Sequence, residues 1–213
     1  NPSYGNCPRV TRLPDGELIV MNRGDLPIYR SRDHGAHFEE QPWVNQSTRE
    51  EGLVQAPVCI PDRLIPRQDG TLGCIAQVRM GTYGLSRMPT TDQAHWANVF
   101  YISQDGARTW KPLSVAGFEK DLSLCETSAC RLPDGRLLAV MRENTFDVYE
   151  PMYIALSEDD GASWGEVIPT PLIGHRPCVG VTQSGKLLIT YRDVSLARST
   201  AAWLGSLEEL REF

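Results

Sequence analysis

The sequence predicts an all-β protein of propeller type, built from four-stranded antiparallel blades, with about four blades in 213 residues. Three observations lead there. An Asp-Gly hairpin recurs along the chain, an acidic glycine-containing octet follows the first three hairpins, and the hairpins are one blade apart.

The hairpins come first. RLPDGELIVMNR (12–23) lies on RLPDGRLLAVMR (131–142) and then on VTQSGKLLITYR (181–192), with a weaker copy in IPRQDGTLGCIAQVR (65–79). In each, Asp-Gly or Ser-Gly separates two apolar stretches, the signature of a tight turn between antiparallel strands. Gly16, Gly70, Gly135 and Gly185 stand 54, 65 and 50 residues apart, a repeat that fits a blade. The whole chain reads as a single propeller domain with approximate blades 1–45, 46–118, 119–172 and 173–213. The fourth unit lacks the octet. It continues through a strand-like TAAWLG (200–205) to SLEELREF, where Ser206 and Glu209 have the spacing of a helix capping box.

The octets are SRDHGAHF (31–38), SQDGARTW (103–110) and SEDDGASW (157–164). A short acid such as Asp159 can accept backbone amides within its own turn, glycine permits positive φ, and the final aromatic packs into the blade. The second octet departs from the pattern, with Gly106 one place early and Ala107 where glycine is expected. These segments resemble the Asp box, S-x-D-x-G-x-x-W, of the sialidase superfamily and its BNR-repeat relatives. The resemblance implies that the boxes are structural and lie on the outer rim, and that the full fold has six blades. Six units at this period need roughly 300 residues, so the chain reads as partial or as completed by further sequence, in keeping with its start at Asn1. A closed four-bladed ring is the alternative.

Composition excludes several classes. A net charge of −6 argues against a nucleic-acid partner, which favours basic surfaces. No apolar run approaches the roughly 20 residues of a membrane span. No signal peptide is visible at the N-terminus, so a soluble chain in the cytoplasm or outside the cell is expected. The basic residues are 18 Arg and only 3 Lys, and Arg grips carboxylates in a planar fork. Cys7, Cys59, Cys74, Cys125, Cys130 and Cys178 form no metal-ligand pattern and read as packed thiols, with one Cys59–Cys74 disulfide compatible with neighbouring strands. GVTQSGKL (180–187) resembles a phosphate loop but has Leu187 in place of the hydroxyl, and sits on a hairpin. The Asn45 sequon matters only in a secreted eukaryotic protein, and His34 and His37 fall within an octet as solvated turn residues.

Repeat alignment points to the site, because loops entering the first strand and leaving the second open on one face of a propeller. Seven places after the hairpin glycine stand Arg23, Arg142 and Arg192, with Arg79 in the longer second unit; nine places before it stand Cys7, Pro61, Glu126 and Arg176. A ring of like charges calls for an anion. Local pairing is the alternative: Arg23 with Asp25, Arg142 with Glu143, Arg192 with Asp193.

The runs LCETSACRLPDGRLLAVMREN, GHRPCVGVTQSGKLLITYRD and YIALSEDDGASW are similar to the sialidase-like BNR branch, much of it bacterial, and the similarity covers nearly the whole chain. It implies a glycoside hydrolase removing terminal sialic acid or a similar acidic sugar, needing neither metal nor organic cofactor. Arginines would hold the substrate carboxylate: Arg142 matches a triad member, Arg176 and Arg192 are candidates for further contacts, and Arg23 is the first-blade candidate. Glu126 matches the glutamate that activates a tyrosine nucleophile, and Asp25 is the candidate acid/base. That tyrosine belongs to a later blade; Tyr149 lies in the wrong unit. The chemistry is consistent, since a carboxylate on the reacting carbon repels an Asp or Glu nucleophile but not a phenol. A noncatalytic propeller binding acidic glycans, or a glycosidase for a uronic acid, is the alternative. Open blade edges would permit oligomerisation.

Overall fold

In a computed structural model of the chain, the described residues are 8–22, 27–44, 58–79, 96–119, 121–144, 150–194 and 199–212, with side chains omitted at 58–60 and 79. They form four antiparallel sheets arranged as the blades of a propeller. Blade 1 has β1 (Arg9–Arg12), β2 (Leu18–Met21), β3 (Ile28–Ser31) and β4 (Glu39–Gln41). Blade 2 has β5 (Val58–Pro61), β6 (Ile65–Pro66), β7 (Leu72–Arg79), β8 (Trp96–Ser103) and β9 (Lys111–Gly117). Blade 3 has β10 (Leu124–Arg131), β11 (Leu137–Glu143), β12 (Pro151–Ser157) and β13 (Ile168–Ile173). Blade 4 has β14 (His175–Val181), β15 (Leu187–Arg192) and β16 (Thr200–Gly205), followed by α1 (Leu207–Arg211).

The strands within each blade pair in chain order, with one difference from the expected pattern: β5 and β6 both pair with β7. They act as one inner strand interrupted at Asp62–Leu64, where Asp62 N donates to Ile75 O at 2.8 Å. The hairpins are alike in detail. Leu13, Arg67, Leu132 and Thr182 donate their amides to Glu17, Thr71, Arg136 and Lys186 at 2.8–2.9 Å, and the four hairpin glycines have φ between +80° and +94°. The phosphate-loop look-alike is the last of these turns. Ser206 caps α1 with a complete capping box, and Leu207 and Leu210 bury against Ile168 and Leu172 of β13.

Each octet folds as an Asp box. Ser31, Ser103 and Ser157 accept the amides of Gly35, Ala107 and Gly161 at 2.8 Å, while Asp33, Asp105 and Asp159 accept those of His37, Thr109 and Ser163 at 2.8–2.9 Å. Two successive residues in every box have positive φ: His34 and Gly35, Gly106 and Ala107, Asp160 and Gly161. The displaced Gly106 thus occupies the first left-handed position and Ala107 the second. The last two boxes latch onto the preceding blade. Arg30 donates to Gly106 O at 2.5 Å, Gln41 to Ala107 O at 2.7 Å, and Trp110 stacks on Trp43 at 4.8 Å. Arg67 donates to Asp160 O at 2.9 Å, Ser114 to Gly161 O at 2.5 Å, and Trp164 meets Phe100 edge-on at 5.8 Å.

On the axis, Asp62 is buried, with Arg9 Nε at 3.2 Å and the Ala129 amide at 2.7 Å. Arg9 also donates to Pro177 O at 3.0 Å, and Arg63 donates to Val179 O. Of the two cysteine readings, the Cys59–Cys74 disulfide is not formed: Cys74 is a buried free thiol whose Sγ lies 3.3 Å from Asp62 O. Cys125, Cys130 and Cys178 are free as well.

Two predictions follow from these turns. A methyl at Gly161 would stand 2.2 Å from Phe100 Cε1 on a backbone with φ of +89°, so Gly161→Ala should cost about 2 kcal/mol or more. Urea unfolding checks this, and an unchanged midpoint would contradict the seating of the third box on Phe100. The second concerns acid. At Asp105 burial acts upward, but the Thr109 hydroxyl and amide, the Ser103 hydroxyl and the Arg108 amide outweigh it and pull the carboxyl down to about 2. Asp159 is lowered chiefly by the Ser163 hydroxyl, and Asp33 chiefly by the His37 amide. Folded values below the ordinary 3.8 give stability that is complete above 3.8 and lost as pH falls. Asp62 acts oppositely, since burial raises it. The melting temperature should therefore drop as pH falls from 3.8 toward about 2, and Asp105→Asn should flatten that slope; an equally steep fall in the variant would refute the assignment.

Candidate functional site

Four of the residues singled out by repeat alignment meet at one end of the inner strands. Glu126 lies near the start of β10, Arg142 near the end of β11, Arg176 near the start of β14 and Arg192 at the end of β15. Arg23, Asp25 and Tyr149 lie outside the described residues, as does the side chain of Arg79.

The meeting depends on a backbone device used twice. In β10, Cys125 pairs with Arg142 and Ser128 with Val140, so two residues face Met141 alone. In β14, His175 pairs with Arg192 and Cys178 with Thr190, giving the same excess opposite Tyr191. Glu126 and Arg176 are the first extra residues of these bulges, with φ of +49° and +55°. A bulge re-aims a side chain out of the strand alternation, at a cost of roughly 1–3 kcal/mol for a non-glycine residue in this region. Compensating bonds surround both. The Glu126 amide donates to Gln77 Oε1 at 3.0 Å, and the Arg176 amide donates to Glu126 Oε2 at 3.2 Å.

The Glu126 carboxylate sits between two guanidiniums, with Arg142 Nη1 at 3.1 Å and Arg176 Nε at 3.3 Å. Side-chain exposure is 10% for Glu126, 13% for Arg142 and 33% for Arg176, so of the three the last is the most accessible to a ligand. Arg142 also donates to Asn144 Oδ1. Arg192 is exposed and donates to His175 Nδ1 at 2.6 Å. A guanidinium has no acceptor, so that ring nitrogen carries a lone pair. Partial burial, and then the neighbouring Arg192, lower the Arg176 guanidinium from its ordinary value. Three cations thus converge with Glu126 as the carboxylate between two of them.

Of the alternative local pairings, Arg23 with Asp25 lies outside the described residues, and the other two arginines turn to other partners. Arg142 turns to Glu126, while Glu143 accepts the Ser123 amide at 3.0 Å on the other side of β11. Arg192 bonds its cross-strand partner His175. Among the described residues, the Tyr153 and Tyr191 phenols are shifted away from ionisation: burial first, then acidic neighbours, raise both. Sequence reasoning passed over Gln77, Asn98 and His175. The available signal was a polar residue in the middle of an otherwise apolar strand, in CIAQVR and WANVFY.

The family model described as BNR repeat-like domain matches residues 19–200. The chain belongs to the BNR repeat-like family. Among solved structures, this BNR-family chain is similar to a protein of unknown function from Dyadobacter fermentans, at TM-score 0.75 and 16% identity over 94% of this chain and 60% of that one. It is also similar to the α-L-arabinanase of Penicillium chrysogenum complexed with arabinobiose, at TM-score 0.67 and 22% identity over 96% and 63%. A mutant of the NanB sialidase from Streptococcus pneumoniae matches at TM-score 0.58 and 13% identity, over 94% and 30%. The chain therefore spans about three-fifths of the length of the first two. At these identities the likeness shows a shared fold. No curated protein sequence matches.

The charge arrangement makes a direct prediction. Glu126→Gln leaves two partly buried guanidiniums without their counter-charge, and should lower stability by about 1–3 kcal/mol. Sulfate should restore part of it by occupying the gap. Denaturant midpoints with and without sulfate check this; equal midpoints for variant and wild type would show that Glu126 does not compensate the arginines.

Proposed function

We propose that this chain supplies the substrate-binding half of a sialidase-like glycoside hydrolase that releases a terminal acidic sugar, sialic acid or a close analogue, from a glycan. The observation that carries the reading is the cationic excess at one end of the inner strands: Arg142 and Arg176 on Glu126, and Arg192 close enough to Arg176 to add, after partial burial, to the lowering of its guanidinium. A substrate carboxylate relieves that repulsion. Arg176 and Arg192, the more exposed pair, make first contact, and Arg142 fixes the anion from below while tied to Glu126.

In this reading Glu126 is the general base. Shifting one guanidinium to the substrate frees a carboxylate oxygen to accept a proton from a phenol or water as it attacks the anomeric carbon. The glycosidic C–O bond breaks as the nucleophile approaches, through an oxocarbenium-like state whose positive charge the substrate's own carboxylate stabilises, and where the nucleophile is a phenol, water then releases the sugar from it. Asp25, in the first blade's equivalent loop, is the candidate to protonate the leaving oxygen, and Arg23 the candidate fourth cation. The nucleophile is assigned to a tyrosine beyond these blades. Family membership and the solved relatives, which include an arabinanase and a sialidase by name, support a glycosidase propeller.

A second reading is favoured by one feature. Arg142 and Arg176 are both engaged by Glu126, so these cations could serve to orient a catalytic carboxylate for a neutral sugar such as arabinofuranose. Turnover of fluorogenic α-sialosides, uronides and α-L-arabinofuranosides separates the two. For the acidic-sugar enzyme, Glu126→Gln should reduce kcat by about 10²–10⁴, and Arg192→Ala should chiefly raise KM. Cleavage of arabinofuranosides alone, untouched by Arg192→Ala, would overturn the acidic-sugar reading. Binding of free sialic acid without any turnover would make the chain a glycan-binding module.

A further inference from the structure

Glu126 holds an unfavourable backbone conformation, and the groups that stabilise it come from the neighbouring blade. Gln77 on β7 and Asn98 on β8 are directly opposed cross-strand partners, 5% and 0% exposed. Both reach the bulge of β10. Gln77 Oε1 accepts the Glu126 amide at 3.0 Å. Asn98 Oδ1 accepts the Thr127 hydroxyl at 2.5 Å, and Asn98 Nδ2 donates to Leu124 O at 3.1 Å. Two primary amides therefore satisfy one donor on each extra residue of the bulge and one carbonyl just before it.

The need for such groups is physical. A bulge removes its extra residues from the ladder, and a buried amide left without an acceptor is expensive. The corresponding amide in the next blade, that of Arg176, is accepted by Glu126 itself. Support thus passes in sequence: blade 2 holds the bulge of blade 3, and the carboxylate presented by that bulge holds the bulge of blade 4.

We propose that Gln77 and Asn98 are positioning residues, an amide clamp that holds the Glu126 bulge and so sets its carboxylate between Arg142 and Arg176. The catalytic consequence rests on the function proposed above, whereas the structural consequence does not. Gln77→Met keeps length and volume but removes the acceptor, and Gln77→Glu restores an acceptor oxygen.

Crystal structures of the full chain and of Gln77→Met decide the structural part. The expected result is a β10 in which residue 126 leaves positive φ, or in which its carboxylate withdraws beyond 4 Å from Arg176. If residue 126 keeps its positive φ and Glu126 keeps both arginine contacts in Gln77→Met, the clamp is refuted whatever the activity. Should Gln77→Met fail to fold, Asn98→Ser is solved instead and judged by the same criterion. In kinetics on whichever glycoside the wild type cleaves, Gln77→Met should lower kcat by about 10-fold or more, in line with the large cost of small misplacements, with KM little changed. Gln77→Glu should recover most of that loss. A stable Gln77→Met with wild-type kcat overturns the proposal. A wild type that cleaves no glycoside sinks the hydrolase reading alone, because the two structures still decide the clamp.

Discussion

One buried carboxylate organises the centre of this molecule. Asp62 interrupts the inner strand of blade 2, turns to the axis, and takes the Ala129 amide of blade 3 and the Arg9 guanidinium of blade 1. Arg9 and the adjacent Arg63 carry the connection to the Pro177 and Val179 carbonyls of blade 4. Burial pushes the Asp62 carboxyl upward, with Arg9 and Arg63 acting against it. A charge in that position is tolerated only with its partners in place. It therefore ties the alignment of all four inner strands to one another, and Ala129 is three residues along β10 from Glu126.

The rim contributes a second, directional constraint. Apolar packing between blades does not by itself set their rotation, since hydrophobic contact is non-directional. The Asp boxes add the missing specificity. Their left-handed residues present carbonyls at Gly106, Ala107, Asp160 and Gly161 to donors from the blade before. Asp160 works on both sides, with Arg131 of its own blade and Arg67 of the preceding one. The acids of these turns are spent on architecture, as the SEDDGASW segment suggests when its own amides are counted.

The site illustrates how far register alone can carry a reading. Counting from hairpin glycines selected Glu126, Arg142, Arg176 and Arg192, and the four do gather at one end of the inner strands. Their partners were not legible. Adjacent strand residues point to opposite faces, so Arg142 and Glu143 are separated by the pleat although they are neighbours in sequence. The bulges that bring Glu126 to the two guanidiniums left no recognisable mark either, because positive φ was taken at Glu126 and Arg176 without a glycine to announce it.

The amino-acid sequence was sufficient for the blade period, the hairpins, the Asp boxes, the cap of α1 and the register of the charged positions, because turn chemistry and strand alternation are local and repeat with the chain. The assignment of partners belonged to the folded molecule: Gln77 and Asn98 to the β10 bulge, Glu126 to arginines of two blades, Asp62 to the axis, and Cys74 to packing as a free thiol. These contacts join residues from 12 to 67 positions apart. Which buried donor meets which acceptor across such separations depends on how the blades pack, and no local pattern encodes it.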